Sequence, residues 1–146
     1  MSRLATILLV EDSDHDIEII KINFKKHKIK NPLIVIKDGE SAINYINGEG
    51  QYSDRELPDL ILLDINLPRY NGKEVLARVK ANDLSKKIPV VMLTTSAMEK
   101  DIQESYDLGA AGYIRKPVDF EGIQKVVSTI NDYWLGIVVL PITEKN

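Results

Sequence analysis

Five short apolar runs, each almost uninterrupted, constrain this chain more than any other feature. They are Ile7-Leu8-Leu9-Val10, Leu33-Ile34-Val35-Ile36, Leu60-Ile61-Leu62-Leu63, Val90-Val91-Met92-Leu93 and the shorter Tyr113-Ile114. A strand with one wet face alternates apolar and polar residues. These runs do not, so both of their faces must be covered, as in a parallel sheet between two helical layers. Turn formers bracket them: Asn31-Pro32, Pro58-Asp59, Pro89 and the stretch from Gly109 to Gly112. Between the runs, apolar residues recur at helical spacing. Ile17, Ile20 and Phe24 mark a first helix, and Ala42, Ile43 and Ile46 a second that ends at Asn47-Gly48. Val75, Leu76 and Val79 mark a third after Asn71-Gly72, and Ile102, Ser105 and Leu108 a fourth that stops at Gly109. Ile123, Val126, Val127 and Ile130 mark a fifth, with Asp119 as its N-cap. Five alternating strand–helix units imply a doubly wound α/β sandwich. Right-handed crossovers leave few strand orders open to it.

The 146 residues suit one domain. The absence of cysteine excludes disulfides, thiolate metal sites and a cysteine nucleophile, and it fits a reducing compartment. A net charge of −3 disfavours a general nucleic-acid-binding surface. No run approaches the roughly 18 apolar residues of a membrane span. The start lacks the apolar stretch and cleavage site of a signal peptide. A cytoplasmic protein with no membrane or nucleic-acid partner is expected. Two segments exceed the minimal unit: the polar connection GEGQYSDREL at 48–57, and an apolar extension at 132–141 containing Trp134, Ile137, Val138 and Leu140. Residues 143–146 read as a frayed tail.

In an open parallel sheet, ligands bind beyond the carboxyl ends of the strands. The polar residues expected there are Glu11 and Asp12 after the first strand and Asp64 after the third. Thr94 and Thr95 follow the fourth and Lys116-Pro117 the fifth; the second offers only Lys37 and Asp38, with no obvious partner. Three carboxylates on one edge repel and raise one another's pKa values. A hard divalent cation relieves that repulsion, and Mg²⁺ suits one or two carboxylates plus water. A metal, a lysine and a hydroxyl around one aspartate suit a phosphoryl group. Asp64 is then the candidate nucleophile, forming an aspartyl phosphate. The carbonyl of Asn66 offers a further oxygen ligand, and Asn71-Gly72 a permissive turn. Lys116-Pro117 is a candidate cis peptide that would aim the lysine inward. The plain structural alternatives are that Asp12 or Asp14 only caps the first helix and that Lys116 is merely solvated.

These motifs together resemble the receiver domain of two-component response regulators. The stretches ILLVEDSD (7–14), PDLILLDINLPRYNG (58–72), IPVVMLTTSA (88–97) and GAAGYIRKPVD (109–119) carry the resemblance. It implies a flavodoxin-like sheet of order 2-1-3-4-5, with a core over 5–131 within a single domain at 1–146. It implies Asp64 as phospho-acceptor, and Glu11, Asp12, Asp64 and the Asn66 carbonyl as Mg²⁺ ligands. Lys116 is implied as the charge-balancing lysine, Thr94 and Tyr113 as the switch pair, and Pro117 as the cis-proline position. Asn66 and Ser96 would tune the lifetime of the phosphoryl group. Thr95 stands where many receivers carry a smaller residue. The loop GEGQYSDREL, the TTSA stretch and the ending DYWLGIVVLP are similar to stand-alone receivers that serve bacterial phytochrome-type histidine kinases. That narrower resemblance implies a homodimer through the fourth helix, fifth strand and fifth helix together with the tail.

The resemblance implies a signalling protein and not an enzyme in the usual sense, handing its output to a downstream protein. The alternatives are a Mg²⁺-dependent phosphatase using Asp12 and Asp14, a nucleotide-binding module and a phosphorylation-independent interaction domain. The first lacks a cap and carries Asp16 where another residue type is expected. The second lacks a glycine-rich loop after the first strand. For the tail, packing back onto the domain competes with an oligomer contact.

Overall fold

The computed structural model of the chain describes residues 3–142. The chain runs β1 (Ile7–Val10), α1 (Asp14–Lys26), β2 (Leu33–Ile36), α2 (Gly39–Asn47), β3 (Leu60–Leu63) and α3 (Gly72–Ala81). It continues with β4 (Val90–Thr94), α4 (Glu99–Asp107), β5 (Gly112–Arg115) and α5 (Phe120–Thr129). The strands form one parallel sheet of order β2-β1-β3-β4-β5, as the sequence patterning and the resemblance lead one to expect. Thr94 belongs to β4, paired with Arg115, where the sequence placed it just past the strand. Residues 143–146, the expected frayed tail, lie outside the described residues.

The uninterrupted apolar runs explain both layers. Side chains alternate across a strand. Leu8, Val10, Ile61, Leu63 and Met92 therefore join α2 and α3 in one core. Ile7, Leu9, Leu62, Val91 and Leu93 join α1 and α5 in the other. β1 and β3 are wholly buried, as central strands must be. Their register is flush: Ile7 pairs with Leu33 and Leu60, and Val10 with Ile36 and Leu63. The carboxyl ends of β1, β2 and β3 therefore stop at one level, which brings the following residues together.

Helix ends follow local chemistry. α1 is capped by Ser13, whose Oγ accepts from the Asp16 amide at 3.2 Å, so neither Asp12 nor Asp14 is the cap. Asp119 caps α5 through the Gly122 amide at 2.7 Å. Gly48 ends α2 in the left-handed region, at φ 67°. The long connection after it holds a 3-10 turn, Gly50–Tyr52, and is fastened by Arg55, which donates to the carbonyls of Tyr45 and Ile46, both at 2.7 Å. Just before β3, Arg3 forms a two-point ion pair with buried Asp59, at 2.6 and 2.8 Å. No helix among the described residues is long and apolar enough to cross a membrane.

The extension divides its apolar residues between two environments. α5 passes into a π-helical turn, Ile130–Trp134. Trp134, Leu135 and Leu140 then pack back on the α1/α5 core. Ile137 and Val139 are left 73% and 93% exposed.

Gly72 is required by space and not by turn conformation, which corrects the expectation of a permissive turn. It is absent from the positive-φ residues. A Cβ there would lie 2.0 Å from the Asp64 carbonyl oxygen, a backbone atom that cannot step aside cheaply. Gly72→Ala is expected to cost about 1–3 kcal/mol of stability, as overpacking does. Urea unfolding of the variant beside wild type measures it.

Candidate functional site

Glu11, Asp64 and Thr94 stand one step, and Asp12 and Lys116 two steps, past the apolar part of their strands, and the parallel ladder is prolonged to hold Glu11, Asp64 and Lys116. The Glu11 amide donates to the Ile36 carbonyl at 3.0 Å, Asp64 to Val10 at 3.0 Å, and Lys116 to Thr94 at 2.6 Å. Main-chain bonds thus fix the starting points of these side chains. Glu11, Asp64, Thr94 and Lys116 are buried, while Asp12 is exposed at the mouth. Carboxylate oxygens of Glu11, Asp12 and Asp64 all lie within 4.8 Å of one another.

Lys116 sits among these acids at 5% exposure. Its Nζ contacts Glu11 Oε1, lies 2.8 Å from Asp16 Oδ2 and 3.5 Å from Asp64 Oδ2. Burial alone would lower its pKa; hydrogen bonds to Asp16 and Glu11 and the charges of Asp64 and Glu11 more than reverse that, and the net direction is upward. Lys116 is therefore a fixed positive charge. Burial pushes the Glu11 carboxyl up to about 7, against the opposing pull of Lys116. Two buried acids beside one ammonium leave the cluster short of positive charge.

Asp16, not among the candidates expected at this edge, lies nearer Lys116 than Asp64 does. Its place in the first turn of α1, just after the carboxyl end of β1, is the signal that could have found it. Lys37 and Asp38 have partners after all: Lys37 pairs with Asp14, and Asp38 caps α2 through the Ser41 amide at 2.7 Å. The Lys116-Pro117 peptide is trans, since no cis bond occurs among the described residues. The inward aim of Lys116 needs no cis bond: the carboxylates supply the attraction.

Around Asp64, the Asn66 amide approaches Oδ1 at 3.4 Å. The loop beyond is fastened at Leu67, Pro68 and Gly72: the amides of Leu67 and Gly72 donate to the Ile65 carbonyl at 3.0 and 2.7 Å, and Gly39 donates to Pro68 at 3.1 Å. On the other side, the Ser96 amide approaches Thr94 Oγ1 at 3.4 Å. Tyr113 is partly buried against the α2/α3 core, and its hydroxyl donates to the Ser96 carbonyl at 2.9 Å. The edge thus combines an acidic triad of hard oxygen donors, a buried ammonium, a buried hydroxyl and a docked aromatic ring.

The model of the response regulator receiver domain matches residues 7–128. The chain belongs to this family. It is 42% identical to the response regulator Rcp1 of Synechocystis sp. over 135 residues, 92% of each chain. Among solved structures it is similar to the phosphorylated cyanobacterial phytochrome response regulator RcpA. That match has a TM-score of 0.92 and 39% identity, and it covers 96% of this chain and 100% of that one. It is also similar to the Mn²⁺-bound form of Rcp1, with a TM-score of 0.89 and 41% identity, over 94% of this chain and 99% of that one.

The Glu11 shift gives the site a pH signature. A carboxyl whose folded pKa lies above its unfolded value of 4.5 contributes stability below pH 4.5 and loses that contribution as pH rises through about 7. In EDTA, the stability difference between wild type and Glu11→Gln is expected to move in the variant's favour from about pH 5 to pH 8. Denaturant unfolding across that range checks it.

Proposed function

We propose that Asp64 accepts a phosphoryl group from the phosphohistidine of a histidine kinase, and that the charged domain signals through the surface of α4, β5 and α5. The carrying observation is the buried ammonium of Lys116, 3.5 Å from Asp64, beside the acidic triad. The donor set fits a hard divalent cation: Glu11, Asp12, Asp64 and the Asn66 carbonyl would hold Mg²⁺, which when bound neutralises charge on the phosphoryl oxygens. The Mn²⁺ bound by similar Rcp1 supports a metal here.

The residues divide the chemistry. An Asp64 carboxylate oxygen attacks phosphorus in line and forms the new P–O bond. The P–N bond breaks, and its electron pair returns to the imidazole nitrogen, which takes a proton from water. Lys116 balances charge on the transferred group and is already desolvated, so little reorganisation is needed. The product adds about −1.5 to −2 charge. Thr94 donates its hydroxyl to a phosphoryl oxygen, and Tyr113 occupies the inward position in the same state. Similarity to the phytochrome response regulator RcpA supports a phytochrome-type kinase as the partner. The proposed form is a cytoplasmic receiver with its core at 5–131. Its output then passes to a downstream protein.

Asp64→Asn should abolish acid-labile labelling by acetyl phosphate with Mg²⁺. Undiminished labelling would overturn the assignment, and turnover of small phosphate esters by wild type would favour the phosphatase reading.

A homodimer using the α4-β5-α5 surface and the extension is part of this proposal. Exposed Ile137 and Val139 support it; Trp134 does not, because it packs inward. Truncation after Asn131 would uncover the core, so substitution is the better test. Ile137→Glu with Val139→Glu is expected to shift sedimentation from dimer to monomer while the melting temperature holds. An unchanged sedimentation coefficient would remove the extension from the interface.

A further inference from the structure

α4 is the least anchored long helix of the fold. Ser105 is its one buried residue, whereas α1 and α2 each bury five. An ionic tie holds it instead. Lys73, in the first turn of α3, places its Nζ 2.5 Å from Asp101 Oδ1 and 2.7 Å from Glu104 Oε2, both on α4. The Lys73 and Asp101 side chains are only 18% and 15% exposed, so solvent screens this pair less than an ordinary surface pair.

Asp101 uses its second oxygen as well. Oδ2 accepts from the Ser96 hydroxyl at 2.5 Å. Ser96 lies in the β4–α4 loop, and its carbonyl accepts from Tyr113. Lys73, and after it the Ser96 hydroxyl, hold the Asp101 carboxyl below its usual range. A continuous chain of contacts thus runs from α3 through Asp101 and Ser96 to the tyrosine ring. Ser96 acts in it twice: its hydroxyl is held by α4, and its carbonyl receives the tyrosine.

We infer that Lys73 and Asp101 are positioning residues: they hold the β4–α4 loop where the Ser96 carbonyl receives Tyr113, and so favour the inward position of that ring. The inference rests on the proposed coupling of Tyr113 to a phosphoryl group on Asp64. Coupling is reciprocal. A tie that favours inward Tyr113 must therefore also tighten binding of a phosphoryl mimic at Asp64.

The test titrates the full chain, carrying 3-fluorotyrosine, with beryllofluoride in Mg²⁺. Both the affinity and the Tyr113 fluorine resonance are read, that resonance being assigned among the 6 tyrosines by Tyr113→Phe. Lys73→Met and Asp101→Asn are each expected to weaken binding roughly three- to tenfold. They should also move the Tyr113 resonance toward that of an exposed tyrosine. Lys73→Arg should restore both. Ser96→Ala, which removes the hydroxyl but keeps the carbonyl, should reproduce the loss. In a Tyr113→Phe background, Lys73→Met should change nothing further. Wild-type affinity and an unmoved resonance in Lys73→Met overturn the inference, as does a full effect persisting without the tyrosine hydroxyl. If wild type itself fails to bind beryllofluoride, the proposed function falls. The Tyr113 resonance in the unliganded variants then still decides whether the tie positions the ring.

Discussion

The burial of one ammonium among carboxylates at the end of an apolar sheet is the interaction on which the rest of the site depends. Glu11 and Asp64 are buried because the strands before them are buried, and the flush register of β1 and β3 leaves them no room to separate. Without a counter-charge, that edge would be among the most costly places in the fold. Lys116 supplies one positive charge from the far side of β4, and Asp16 steadies it from α1. The cluster remains short of cationic charge, and that deficit makes it a place for a metal and, with the metal, for a phosphoryl group.

Much of this is legible in the sequence because the relevant physics is local. Uninterrupted runs such as Leu60-Ile61-Leu62-Leu63 can only be central parallel strands, and the next polar residue must then fall at the sheet edge. Asp64 and Glu11 are found by that rule alone, whereas after Tyr113-Ile114 the next polar residue is Arg115 and Lys116 comes one further. Caps are less legible: Ser13, Asp12 and Asp14 are all good capping types, and only the backbone path shows that Ser13 does the work. Gly72 is singled out correctly for the wrong reason, because a close approach between segments leaves no trace in a turn motif.

What the sequence hides is contact between elements distant in the chain. Nothing near Lys73 announces Asp101 or Glu104, since their meeting depends on how α3 and α4 are laid on the sheet. The extension is hidden in the same way. Its apolar residues look alike in order, but Trp134 finds the α1/α5 core and Val139 finds solvent. Pattern gives the number of apolar residues to be accommodated; only the packed fold apportions them.

The contact between Gly72 and the Asp64 carbonyl has a mechanical consequence. The main chain of Asp64 is wedged against the start of α3, and the loop beyond it is laced at Leu67, Pro68 and Gly72. New charge on Asp64 cannot be absorbed by recoil of its own backbone in that direction. Beside α3, the next helix, α4, is held by a few polar tethers over one buried serine. The molecule is stiff on one flank of Asp64 and compliant on the other. Such asymmetry gives a local chemical event a direction.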